Sequence, residues 1–81
     1  MKAIVHIGLK AGVLDPQGRA IARSLGDLGF SHVQGARQGK IIELDLDHDN
    51  ESAAMVDVTS MCEKLLANTV IESYDIKIET E

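Results

Sequence analysis

The sequence predicts an α+β fold with the element order β-α-β-β-α-β. Three observations carry that prediction. Residues near both ends and in the middle of the chain alternate apolar with polar, the period of a half-buried strand. Two stretches repeat instead at spacings of three and four, the period of an amphipathic helix. Gly, Pro and Asn fall between these stretches, where turns and helix ends need them.

The first strand is expected from Lys2 to Lys10, with Ala3, Val5, Ile7 and Leu9 on one face and His6, Gly8 and Lys10 on the other. Ile4 is apolar on the outer face. Asp15 then caps a helix from Pro16 to Leu28, because its carboxylate can accept from the free N–H groups of the first turn, and a proline at the first helical position loses no hydrogen bond. Ile21, Leu25 and Leu28 form the apolar stripe. Gly29 supplies a left-handed C-terminal cap, with Phe30 placed for the apolar contact that accompanies it. A second strand is expected over His32–Arg37, turning at Gln38-Gly39 into a third over Lys40–Asp47. There Ile42, Leu44 and Leu46 face inward and Ile41 outward. Asp49 or Asn50 caps the second helix, whose stripe is Met55, Val58, Cys62 and Leu65, flanked by Ala54, Met61 and Leu66. Asn68 is a plausible left-handed residue at its end. The last strand, Ile71–Ile78, places Tyr74, Ile76 and Ile78 on one face.

Helices on one face of an antiparallel sheet in this order give a ferredoxin-like arrangement. The opposite face, carrying Ile4 and Ile41, is expected to pair with another sheet, which implies a dimer or higher homo-oligomer.

Length and composition bound the function. Eighty-one residues make one small domain, and domains of this size are often marginal alone, so a partner surface is expected. The net charge is −5, and Phe30 and Tyr74 are the only aromatic rings. Neither a basic footprint nor a set of stacking rings for nucleic acid is present overall. The charge is uneven: residues 1–42 carry +4 and residues 43–81 carry −9. That asymmetry fits two solvated faces or a mixed-sign docking surface. A single cysteine excludes an internal disulfide, and the N-terminus reads as neither a signal peptide nor a membrane span, so a cytoplasmic protein is expected.

No catalytic constellation emerges. Asp45, Asp47 and Asp49 alternate like the start of a calcium loop, but Asn50 and Val56 occupy the positions that need Gly and Glu. His6, His32 and His48 have no metal-ligand spacing with Cys62, which sits in an apolar stripe and reads as a buried thiol. No metal and no catalytic residue is expected. Val33-Gln34-Gly35-Ala36-Arg37 is similar to the phosphate-cradle signature of acylphosphatases. It follows the first helix instead of preceding it, so its N–H groups could not serve a phosphate at that helix N-terminus.

Three runs carry a closer resemblance: Leu9-Lys10-Ala11-Gly12-Val13-Leu14-Asp15-Pro16-Gln17-Gly18, Val33 through Leu44, and Met61 through Glu72. In combination and order they resemble the PurS family, small subunits of phosphoribosylformylglycinamidine synthase. The resemblance implies a ferredoxin-like, oligomeric subunit of purine biosynthesis, a homodimer or homotetramer that binds no nucleic acid and no membrane. It implies partners: a PurQ-like glutaminase that releases ammonia and a PurL-like synthetase that activates the amide of formylglycinamide ribonucleotide. ATP, Mg and glutamine are then used by the complex, with no cofactor bound by this chain. The motif loops supply the docking candidates: Lys10, Asp15, Gln17 and Arg19 around the first helix start, and Arg37, Gly39 and Lys40 in the expected hairpin. Each has a structural role open to it as well, Asp15 as a cap and Gly39 as a turn. Ala36 departs from the larger β-branched residue expected there. A ligand-sensing regulatory domain of related topology is the alternative reading.

Overall fold

The computed structural model describes residues 1–80. At its centre β1 (Lys2–Leu9) pairs antiparallel with β2 (Gly39–Asp45) on one side and β3 (Glu72–Glu79) on the other. The helices are α1 (Pro16–Asp27) and α2 (Glu51–Met61), the latter running into a π-helical turn at Cys62–Leu66. The register sets Ala3 opposite Leu44 and Ile78, and Val5 opposite Ile42 and Ile76. One face of the sheet is therefore apolar across all three strands. Ala54, Val58 and Cys62 lie over it, and Ala3, Val5 and Val58 are fully buried. The opposite face sets Lys2 between Asp45 and Glu79, and His6 between Ile41 and Asp75.

The α+β class and the antiparallel sheet with helices match the expectation, and most element ends fall within two residues of it. Asp15 caps α1 by accepting from the Gly18 N–H at 2.8 Å. Gly29 is left-handed (φ 100°), and the Phe30 N–H reaches Leu25 O at 2.9 Å, closing a Schellman motif. Asn50, of the two residues proposed, caps α2 through the Ala53 N–H.

Five expectations need correction. First, His32–Arg37 forms no strand; among the described residues the sheet has three strands, so the order is β-α-β-α-β. With no chain segment alongside it, an alternating sequence has nothing to pair with. Second, Gln38-Gly39 makes no hairpin. Gly39 opens β2 without positive φ, and it is glycine because a Cβ there would lie 2.6 Å from Ile7 O. Third, α1 does not cover the sheet. It stands off it, leaving Ile21 43 % and Leu28 73 % exposed. The radius of gyration is 16.1 Å, against roughly 12 Å for a compact chain of this length. Fourth, the π turn changes which residues of the second helix face inward. Ala67 N–H bonds to Cys62 O, five residues back, and the extra residue rotates Leu65 out to 83 % exposure. Met61 and Leu66 pack against the core instead, and Ala54 replaces Met55. Asn68 is not left-handed; its side chain accepts from the Val70 N–H in an Asx turn.

Candidate functional site

Two of the motif runs meet at the end of the sheet where α1 begins. Asp15 is the hub. One carboxylate oxygen accepts from Gly18 N–H and the other from Gln38 N–H, both at 2.8 Å, so a single buried side chain caps α1 and fixes the entry to β2. These backbone donors, Gln38 foremost and then Gly18, hold its carboxyl below the usual carboxylate range. Arg37 closes the same junction from outside. Its guanidinium donates to Leu9 O at 2.9 Å, Lys10 O at 3.1 Å and Val13 O at 3.4 Å, three carbonyls of the turn that leads out of β1. A planar fork with five donors suits such a fan of acceptors better than an ammonium does. Gly12, with φ 88°, makes that turn possible. Gly18 lets α1 approach the other loop: a Cβ there would clash with Ala36 O.

Asp15, Arg37 and Gly39, three of the seven candidates, thus hold backbone. Lys10, Gln17, Arg19 and Lys40 are all exposed. Gln17 and Lys40 line a groove of about 320 Å³ together with Asp15, Gln38, Gly39 and Glu72. Arg19 lines a separate hollow with Leu14, Pro16, Ala20 and Arg23. The structure therefore gathers Asp15, Gln17, Arg37, Gly39 and Lys40 at one end of the sheet and turns Arg19 away. Gln38 and Glu72 belong to the groove and escaped the sequence reading. A glycine two residues into a helix was the available signal for the close approach at Gly18, since glycine costs a helix stability unless space demands it.

A second polar contact ties the π turn to the sheet. The Tyr74 hydroxyl donates to Glu63 Oε2 at 2.6 Å, and this hydrogen bond, with burial adding to it, pushes the phenol up to about 12. Burial likewise raises the Cys62 thiol, in keeping with a packed side chain and not an attacking one.

Fold and site define a class: a small α+β scaffold whose motif residues are used to lock loops and present a polar rim. The family follows from comparison with known proteins. Residues 2–80 match the family model PurS, phosphoribosylformylglycinamidine (FGAM) synthase. The PurS subunit of Methanocaldococcus jannaschii is 47 % identical over 78 residues, covering 96 % of this chain and 94 % of that one. That of Bacillus subtilis is 44 % identical over 78 residues, covering 96 % and 92 %. The crystal structure of M. jannaschii PurS, one of the subunits of formylglycinamide ribonucleotide amidotransferase in the purine biosynthetic pathway, superposes with a TM-score of 0.90 at 46 % identity over 99 % of this chain and 96 % of that one. A chain in the PurLQS structure from Thermotoga maritima gives 0.86 at 33 % identity over 94 % and 93 %. The chain belongs to the PurS family.

Proposed function

We propose that this chain is the non-catalytic assembly subunit of a phosphoribosylformylglycinamidine synthase. It bridges a PurQ-like glutaminase and a PurL-like synthetase, acts as one unit in the cytoplasm, and self-associates as a dimer or tetramer. ATP, Mg and glutamine bind to the other subunits. The observation that carries this reading is the use made of the motif residues. Asp15 and Arg37 anchor five backbone groups between them, which fixes the loops beside the exposed side chains of Lys10, Gln17 and Lys40. Fixed polar groups on a rigid scaffold suit docking, where ordering costs are met in advance.

The physical need for such a subunit lies in ammonia. In neutral water it is mostly protonated and no longer a nucleophile. A scaffold that aligns the site releasing it with the site consuming it raises its effective concentration and keeps it from bulk solvent. Membership in the family and the PurLQS assembly of T. maritima support the partner assignment. The test is co-purification of the tagged chain from extract, with and without glutamine and Mg-ADP. The reading expects both the synthetase and the glutaminase in the eluate under at least one condition. Recovery of neither under any condition contradicts it.

A further inference from the structure

The groove at the end of the sheet where α1 begins holds charges that the fold does not use. In register, Lys40 of β2 stands opposite Ile7, and Glu72 of β3 stands opposite Leu9, so all four side chains lie on the helix-bearing face. Lys40 and Glu72 thus flank the end of β1 from its two sides. Their Cα atoms are roughly 12 Å apart, two strand spacings across and two residues along. Neither residue joins an ion pair among the described residues. Glu72 accepts from the Asn68 N–H through one carboxylate oxygen, at 2.7 Å, and keeps the other for the groove. Opposite charges that face one groove without pairing are set for a molecule that carries both.

The rest of the lining narrows the ligand. A groove of about 320 Å³ is at the small end of ligand sites. Ile7 and Leu9 give it an apolar floor suited to methylene groups. Gln17 and Gln38 line it as well, and a side-chain amide offers both donors and an acceptor. Asp15 adds a second negative charge, but its two oxygens are held by the Gly18 and Gln38 N–H groups. A phosphate would therefore meet one lysine against two carboxylates, and a bare cation would meet the lysine. A zwitterion satisfies both ends.

We propose that this groove binds a free α-amino acid with an amide side chain. Lys40 takes its carboxylate and Glu72 its ammonium, while Gln17 and Gln38 hydrogen-bond the amide above the Ile7–Leu9 floor. The site lies within one chain and needs no partner subunit, so it does not rest on the assembly role.

Titration calorimetry of the full chain, with L-glutamine as the probe, tests the site. Saturable binding is expected in the millimolar range, together with a higher thermal midpoint. Lys40→Met and Glu72→Gln should each weaken binding about tenfold or more, the loss of one charge-assisted contact. Both should leave the circular dichroism unchanged, because Lys40 is exposed and an amide at position 72 keeps the acceptor for the Asn68 N–H. N-acetyl-L-glutamine, which has no ammonium, should bind the wild type as weakly as L-glutamine binds Glu72→Gln. No binding to the wild type through the millimolar range overturns the site, and so does equal affinity in the wild type and both variants. Either result leaves the assembly role standing, since co-purification decides that.

Discussion

Asp15 shows how much one carboxylate can organise. It holds its own helix start and a segment 23 residues further along the chain, and it is charged while doing so. Its folded-state ionisation is depressed relative to the unfolded value near 3.9, so its contribution to stability is complete above that pH and is lost as pH falls through the lower folded value. The urea midpoint of the wild-type chain should therefore drop between about pH 4 and the acid limit. Asp15→Asn, which keeps an acceptor but has no charge to lose, should flatten that part of the curve. A parallel decline in both proteins contradicts this account. Tyr74 offers the opposite sign. It is the only tyrosine, so its ultraviolet titration is unambiguous. The neutral phenol is the form that Glu63 stabilises, so the associated stability is present below pH 10 and fades as pH climbs toward 12. Tyrosinate absorbance should rise near pH 12 in the wild type and at a lower pH in Glu63→Gln.

Among the elements, the glycines separate close packing from mere flexibility. Gly18 and Gly26 both lie in α1. A Cβ on Gly18 would clash with Ala36 O, whereas one on Gly26 would meet nothing within 4 Å. Gly18→Ala should cost about 2 kcal/mol by forcing the helix off the loop, and Gly26→Ala should gain about 0.5–1 kcal/mol from the stiffer unfolded chain. Thermal unfolding of the two variants should shift in opposite directions, and a shared sign would disprove the close contact. The same elements show what the sequence made legible. β1, α1, β2 and β3 follow from alternation, the Asp15-Pro16 start and the Gly29 stop, all of which act within a few residues. The π turn at Cys62–Leu66 could not be read that way, because a one-residue insertion in the helical ladder leaves no mark on composition; it alone moves Leu65 from inside to outside. The strand expected at His32–Arg37 fails for a different reason. Alternation says that a segment can pair, not that a partner lies in the same chain. The same holds for the stripe Ile21, Leu25, Leu28. Of the candidate site, the capping role of Asp15 was legible from the Asp15-Pro16 pair, but nothing local in sequence reveals that its other oxygen reaches Gln38 or that Arg37 reaches back 28 residues to Leu9.

At the scale of the whole molecule, the proposed role rests on shape. The chain measures 49 × 29 × 14 Å, a thin sheet with a helical arm, which is a poor design for enclosing a substrate and a good one for lying between larger bodies. A scaffold of this kind should affect one reaction of its complex and spare another. Ammonia delivered from glutamine depends on how the two catalytic sites are aligned; ammonia supplied from solution does not. The decisive measurement is amidine formation by purified synthetase and glutaminase with and without this chain, run once with glutamine and once with ammonium salt. The account predicts that omitting the chain abolishes most of the glutamine-dependent rate and changes the ammonia-dependent rate far less. Full glutamine-dependent synthesis in its absence would contradict it.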